Sequence, residues 1–155
     1  MKILIDTRII SLALKHPFLT PLDPEYELSV RASGFVRKIV ENHSLLVSSQ
    51  LGAEIYHVLT MRGKRLPKEK AKELMEDLLS QNFVSYREIT KRILQKAIKL
   101  STATGIHIWD FLVVVPFEGE AQKIYTMDPH FLNKEFSRLA EVENPIGVWK
   151  VEGEK

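Results

Sequence analysis

The sequence contains no cysteine, and this absence excludes several classes of protein at once. Disulfide scaffolds, thiolate zinc sites, iron–sulfur clusters and cysteine nucleophiles all require that residue. Long hydrophobic runs are also missing, because the longest one, residues 111–117, is only seven residues long and cannot span a bilayer. The apolar run near the amino terminus is interrupted by Asp6 and Arg8, too early for an export signal. We therefore expect a soluble, cytoplasmic protein without a membrane segment.

An excess of charge of one sign is missing as well. The 22 Lys and Arg residues against 20 Asp and Glu residues leave a net charge of +2, which does not by itself indicate a nucleic-acid-binding protein. Basic residues are concentrated between positions 62 and 72, and this stretch is either a solvated face or a surface that contacts phosphate. The second interpretation assigns Arg62, Lys64 and Arg65 to nucleic-acid binding. With 155 residues, 45% of them hydrophobic, the chain is expected to form a single domain over 1–155.

Short apolar strands alternate with amphipathic helices along the chain. The predicted strands are 2–6, 44–48, 83–85 and 124–126, with a last one around Val142, and the predicted helices are 7–15, about 23–42, 49–62, 66–79 and 89–104. Asp23 is the expected N-cap of the second helix, with Pro24 at its first position. Residues 109–118 are ambiguous, because 111–115 has high β-propensity and Pro116 would disrupt a helix interior. The alternation indicates an α/β fold with a parallel sheet.

Acidic residues follow two of the predicted strands. Asp6 comes directly after the first strand, and Asp128 comes shortly after the strand at 124–126. In parallel sheets, ligand sites lie beyond the carboxyl ends of the strands. Each residue also has a simpler explanation, since Asp6 could cap a helix and Asp128 could belong to a turn before proline.

Two further acids lie on helical segments. Glu54 has Leu51 and Val58 as its neighbours at helical spacing, so it lies on or beside a buried stripe and needs a cation or a proton there. A basic side chain or a metal ion could supply that charge. If residues 109–117 are helical, Asp110 lies in the first turn, where the helix dipole favours the anion.

Four carboxylates at one sheet edge would repel one another unless a cation neutralised them. Because the donors are hard oxygens without soft ligands, Mg²⁺ or Mn²⁺ is favoured over zinc or copper. Such an ion lowers the pKa of bound water and neutralises charge on a phosphate. Phosphodiester hydrolysis is therefore the predicted class of reaction.

Four segments, in order, resemble the signature segments of the PIN-domain ribonucleases. They are residues 3–7, 47–49 together with Glu54, 109–113 and 125–128, and the resemblance covers the chain from Ile3 to about Phe131. It implies a three-layer PIN-like α/β fold, with a parallel five-stranded sheet flanked by helices. It also implies an Mg²⁺- or Mn²⁺-dependent endoribonuclease.

The same resemblance implies roles for the four acids. Asp6 and Asp110 would be principal metal ligands, Asp128 a ligand partly through water, and Glu54 a ligand or the base that orients the attacking water. Many short family members are toxins of prokaryotic toxin–antitoxin pairs of the virulence-associated-protein-C kind, and others process RNA. The implied partners are therefore an RNA substrate, an antitoxin protein and a second copy in a homodimer.

Thr7 and Thr126 are the expected hydrogen-bond donors to these carboxylates, although a helix-capping or β-surface role is an alternative for both. Two positions depart from the family pattern. Arg8 replaces the usual Asn, and it could contact phosphate or pair with a carboxylate in competition with the metal. Pro116 stands where a helix interior is expected, and a kink there could shift Asp110.

Two alternative functions stay open. Arg8 favours a PIN-like module without catalysis, which binds RNA or a protein partner. A phosphoacceptor receiver domain also gathers acids at strand ends, but it needs paired acids near its start, where only Asp6 is available. We interpret His57, His107 and His130 as surface, loop or capping residues. The glycine patterns that bind nucleotide phosphates are absent from the sequence.

Overall fold

The computed structural model of the protein describes residues 1–150, which form one sheet flanked by helices. The strands are β1 (Lys2–Ile5), β2 (Ser44–Ser48), β3 (Val84–Arg87), β4 (Lys123–Tyr125) and β5 (Glu141–Glu143). Their order in the sheet is β3-β2-β1-β4-β5, and every neighbouring pair is parallel. The chain reverses its direction of progress across the sheet between β1 and β4. The carboxyl ends of these two strands therefore form the crevice where such sheets bind ligands.

Helices alternate with the strands, as the sequence predicts. Within residues 1–150 they are α1 (Thr7–Lys15), α2 (Tyr26–Val40), α3 (Ser49–Met61), α4 (Lys68–Ser80), α5 (Lys91–Thr104), α6 (Ile108–Val114) and α7 (Lys134–Ser137). α3 packs against both α1 and α6, and α6 also packs against α5 and β2. None of the helices in these residues is long and apolar enough to cross a bilayer. The predicted α/β fold with a parallel five-stranded sheet is confirmed.

Local sequence signals account for several helix ends. The Ser48 hydroxyl accepts a hydrogen bond from the backbone N–H of Leu51, 3.1 Å away, and so caps α3. Gly105 ends α5 with a φ of +76°, a left-handed conformation that costs glycine little. Both ends follow the expected pattern.

The predicted start of α2 is wrong. The helix begins at Tyr26, and the Asp23 carboxylate accepts a hydrogen bond from the backbone N–H of Thr20 at 2.7 Å. Asp23 therefore closes the preceding turn and does not cap α2. An Asp side chain serves both kinds of backbone N–H equally well, so the local sequence does not separate the two roles.

The ambiguous segment 109–118 is helical. α6 ends at Val114, and a 3₁₀ turn, Val115–Phe117, follows it. Pro116 is the second residue of that turn, where its missing N–H removes no α-helical hydrogen bond. The side chains of 111–115 are buried, which explains why the run is apolar on all sides and lacks helical periodicity.

Three aromatic rings in contact fix α6 beside the segment that follows β4. Phe111 of α6 lies parallel to Phe136 of α7, with ring centroids 4.6 Å apart, and Phe131 packs on Phe136 at 4.5 Å. All three side chains are buried. This packing holds Asp110, next to Phe111, near the turn that contains Asp128.

Candidate active site

Asp6 lies at the junction of β1 and α1, with its carboxylate held by two donors. The backbone N–H of Thr7 donates to Oδ1 at 2.8 Å, and the Thr126 hydroxyl donates to Oδ2 at 3.0 Å. Burial raises the pKa of Asp6 to about 6, the nearby Asp128 charge adds to that rise, and the two hydrogen bonds oppose it. The fold thus holds this carboxyl group in a position where its charge is costly.

Thr126 connects Asp6 to Asp128 through one buried hydroxyl. Besides donating to Asp6, its oxygen accepts a hydrogen bond from the backbone N–H of Asp128 at 3.0 Å. Asp128 Oδ1 in turn accepts from the backbone N–H of His130 at 2.9 Å. Asp128 is only 2% exposed, and its Oδ2 is buried without a hydrogen-bond partner. A buried carboxylate oxygen in that state is suited to binding a cation.

Asp110 lies in the first turn of α6 and is also buried. Its Oδ2 is 3.3 Å from His107 Nε2 and 3.7 Å from His130 Nδ1. The same His130 nitrogen is 3.5 Å from Asp128 Oδ1, so His130 stands between the two carboxylates. Burial lowers the pKa of His107, and the neighbouring His130 lowers it further against the opposing charge of Asp128. Both effects favour the neutral form of the His107 imidazole.

Glu54 is half-buried on α3, and one of its carboxylate oxygens is fully buried. α3 packs against α1, which Asp6 caps, and against α6, which carries Asp110. Glu54 therefore lies on a helix that contacts both α1 and α6. Its role as a ligand or base stays a prediction.

The possible ligand atoms are not all equally close. Within residues 1–150, only His107, Asp110 and His130 form a group of three whose ligand atoms all lie within 4.8 Å of one another. The carboxylates of Asp6, Asp110 and Asp128 are linked through Thr126 and His130 and are spaced more widely. Buried oxygen donors with an orphaned Asp128 oxygen fit a hard divalent cation.

Arg8 lies next to the site but pairs elsewhere. Its guanidinium is 4.0 Å from the Glu25 carboxylate, which is also 3.8 Å from the ammonium of Lys15. Arg8 therefore does pair with a carboxylate, but Glu25 is not one of the four proposed metal ligands, so this pair does not compete with a metal. Thr7, the other supporting residue, donates to Asp6 through its backbone N–H, and its buried hydroxyl has no hydrogen-bond partner.

The predicted nucleic-acid residues lie in the exposed loop between α3 and α4. The ammonium of Lys64 is 3.8 Å from Asp23, and the carbonyl of Arg62 accepts a hydrogen bond from Lys15 at 2.7 Å. Arg65 is exposed. Contact between this loop and RNA stays a prediction.

His107 and His130 are the site residues that sequence reasoning missed. His107 precedes Asp110 by three residues, a spacing that places both on one face of a helix and could have indicated the first pair. His130 comes close only because α6 packs beside the segment after β4, and no local pattern reveals that contact.

The comparisons with known proteins agree with the fold. Neither a scan against protein-family models nor a search of curated proteins finds a match. Among solved structures, VapC20 from Mycobacterium tuberculosis, described as a sarcin–ricin loop cleaving toxin, aligns with a TM-score of 0.65 and 15% identity, over 86% of this chain and 95% of its own. VapBC2 from Rickettsia felis, solved bound to a DNA fragment from its promoter, aligns with a TM-score of 0.58 and 18% identity, over 93% of this chain and 98% of its own. The chain therefore has the fold of the VapC toxins, and the PIN-like fold predicted from the four segments is confirmed.

Proposed function

We propose that the protein is an endoribonuclease that hydrolyses RNA phosphodiester bonds with Mg²⁺ or Mn²⁺, and that it is the toxin of a toxin–antitoxin pair. Asp6, Glu54, Asp110 and Asp128 are its proposed acidic residues. The fold shared with VapC20, a toxin that cleaves RNA at the sarcin–ricin loop, supports this choice. The proposed compartment is the cytoplasm, where RNA targets are present.

One observation carries the proposal. Three buried carboxylates, on Asp6, Asp110 and Asp128, come from three separate elements to the carboxyl edge of β1 and β4. Burying acids together is unfavourable for folding alone, and the raised pKa of Asp6 reflects that cost. Groups kept in such an arrangement are typical of sites that bind a cation.

Neighbouring residues of the chain orient these acids for cation binding. Hydrogen bonds from Thr7 and Thr126 favour the charged form of Asp6 and fix the direction of its oxygens. The N–H of His130 orients Asp128 and leaves one of its oxygens available. A divalent cation, when bound, lowers the pKa of its water and neutralises charge on the phosphate. Glu54 would complete the ligand set or orient the attacking water.

A cleavage assay with matched variants tests this proposal. Purified protein is incubated with structured and single-stranded RNA in Mn²⁺, in Mg²⁺ and in EDTA. We expect cleavage in the metal buffers only, and a loss in Asp128→Asn greater than the about 10- to 100-fold typical of a second-shell change. Asp77→Asn, an exposed acid of α4, is the matched control and should cleave normally. Equal cleavage by Asp128→Asn and the parent would refute the assignment, and a folded parent that binds RNA without cutting it would indicate the inactive alternative.

An exposed apolar groove supports a protein partner. It lies between α3, α4 and β3, and Tyr56, Leu79 and Tyr86 line it with more than a third of their surface exposed. Contiguous apolar surface of this kind is typical of protein interfaces. We propose that an antitoxin segment occupies the groove, and that the free toxin is a homodimer.

If a small protein is encoded immediately upstream, its co-expression with this chain tests the antitoxin proposal. Leu79→Glu should abolish co-purification, whereas Leu94→Glu, an equally exposed change on α5, should preserve it. If neither variant loses co-purification, the groove is not part of the interface. Light scattering of the toxin alone gives the mass that decides between monomer and dimer.

A further inference from the structure

A group of two imidazoles and one carboxylate lies at the mouth of the acidic site. His107 is the N-cap residue before α6, with an extended backbone at φ −60° and ψ 147°, and Asp110 follows in the first turn of the helix. His130 comes from the 3₁₀ turn after β4. Two elements that are far apart in the sequence therefore supply the three side chains.

The distances in this group match a metal site better than a set of hydrogen bonds. Asp110 Oδ2 is 3.3 Å from His107 Nε2 and 3.7 Å from His130 Nδ1. Both distances exceed the roughly 2.7–2.9 Å of a charge-assisted hydrogen bond. Metal–ligand bonds of about 2.0–2.2 Å in a tetrahedral site place neighbouring ligand atoms about 3.3–3.6 Å apart. The two distances to Asp110 are thus close to this spacing, and all three ligand atoms lie within 4.8 Å of one another.

Burial and access agree with that interpretation. His130 Nδ1 is a buried ring nitrogen without a hydrogen-bond partner, and Asp110 is only 5% exposed. The histidine side chains are 46% and 38% exposed, so the group lies at the protein surface although His130 Nδ1 itself is buried. The rings stand nearly perpendicular, at 78°, with their centroids 5.5 Å apart. That arrangement lets both rings present nitrogen to a common point.

We propose that His107, Asp110 and His130 form a site for a divalent transition-metal ion, of the class of Zn²⁺ and Co²⁺. Imidazole nitrogen favours these ions, whereas Mg²⁺ favours oxygen donors alone. This site lies beside the oxygen-lined metal site of the proposed nuclease. The two sites share Asp110, and only through that residue does this inference rest on the proposed function. An ion here would place positive charge at the entrance through which a phosphate approaches.

Titration of the metal-free protein with Co²⁺, followed by its visible absorption, tests the site. The parent should bind one Co²⁺ with absorption typical of nitrogen ligands, Zn²⁺ should displace it, and a large excess of Mg²⁺ should not. His107→Ala and His130→Ala should each weaken Co²⁺ binding at least about 10-fold. His57→Ala, an exposed histidine on α3, is the matched control and should bind like the parent. Unchanged Co²⁺ binding in both site variants would overturn the proposal.

Two further measurements keep this test separate from folding and from the nuclease. In the unmutated chain labelled with ¹⁵N-histidine, Zn²⁺ should shift the Nε2 signal of His107 and the Nδ1 signal of His130, and unshifted signals would overturn the site without any variant. Asp6→Asn should retain Co²⁺ binding while it loses RNA cleavage. A parent that binds Co²⁺ through the histidines but never cuts RNA would contradict the proposed function alone. A parent that cuts RNA with no histidine-dependent Co²⁺ binding would contradict this inference alone.

Discussion

Two clusters of charge lie beside α1 with most of their side-chain surface covered, and they are balanced in different ways. In the first, the Glu25 carboxylate lies between two cations, Arg8 at 4.0 Å and Lys15 at 3.8 Å. In the second, Asp6, Asp110 and Asp128 are buried together, and the basic partner shared by the last two is His130. The first cluster contains its own counter-charges. The second has three acids beside imidazoles, and under the proposed function a divalent cation supplies the positive charge.

The contrast explains how the protein tolerates an arginine beside an acidic site. Arg8 is only two residues from Asp6, and Glu25 gives its guanidinium a partner in the other cluster. Lys15, 1% exposed, is held by the same carboxylate and by the carbonyl of Arg62. Glu25 therefore separates the permanent cations from the site where an exchangeable cation is expected.

Removing Glu25 should have the greatest effect on stability. In Glu25→Gln, buried Lys15 and half-buried Arg8 lose their counter-charge, and we expect the free energy of unfolding to fall by about 3 kcal/mol. Burial already lowers the pKa of Lys15, and Glu25 opposes that change. Urea denaturation measures the loss. Glu27→Gln, an exposed neighbour on α2, is the control, and a loss in Glu25→Gln no greater than in this control would contradict the first half of the comparison.

Removing a charge from the acidic cluster should instead increase the free energy of unfolding. In metal-free buffer at pH 7, Asp6→Asn should raise the free energy of unfolding by about 2 kcal/mol, because it removes a buried anion. Asn still accepts the hydrogen bond from the Thr7 N–H and remains a good N-cap. Asp77→Asn, on the surface of α4, should change stability little. Destabilisation by Asp6→Asn without metal would mean that the cluster is already neutralised within the chain.

The same variant predicts a pH dependence. The pKa of Asp6 is raised from 3.8 to about 6, so between these values the folded protein binds more protons than the unfolded chain. The stability that protonated Asp6 provides is complete below about pH 4 and is lost as the pH rises to about 6. The advantage of Asp6→Asn should therefore be near zero at pH 4 and complete above pH 6. Paired denaturation curves across this range measure it, and a constant difference would contradict the raised pKa.

Much of the frame that holds these clusters follows from local sequence signals. The first strand, which ends one residue before Asp6, the Ser48 cap and the Gly105 stop each depend on a few neighbouring residues. The four signature segments, taken in their order along the chain, predict the PIN-like fold as a whole. The start of α2 was mispredicted because Asp23 had two equivalent backbone partners within reach.

The charge balance of the site could not be predicted in the same way. The contact between Arg8 and Glu25 crosses a loop whose path depends on how α1 and α2 pack. His130 meets Asp110 only because three phenylalanine rings hold α6 against the segment after β4. Which charges meet is therefore a tertiary property, and the sequence pattern alone permits several pairings.

Thr126→Val should have a moderate effect. It keeps the side-chain shape but removes the donor to Asp6 and the acceptor for the Asp128 N–H, which should cost about 1 to 2 kcal/mol. Affinity for Mn²⁺, measured by calorimetry, should fall about 10- to 100-fold, since the carboxylate loses its orientation. Thr102→Val, an exposed position of α5, is the control and should leave Mn²⁺ affinity unchanged. Parent-like affinity in Thr126→Val would remove this hydroxyl from the site.

Arg8→Asn should have the smallest effect. Its ion pair with Glu25 is long, so we expect a loss below about 1 kcal/mol and little change in Mn²⁺ affinity. Calorimetry on the parent and the variant measures that affinity under the same conditions. A tenfold gain in Mn²⁺ affinity would show that Arg8 competes for the acids, and the two clusters would then not be separate.

Anomalous diffraction from crystals soaked in Mn²⁺ decides whether the acids share an external cation. The expected result is a manganese peak bonded to the carboxylate oxygens of Asp6 and Asp128, with Asp110 turned toward it. A map without manganese at these carboxylates, from crystals saturated with the ion, would contradict the account.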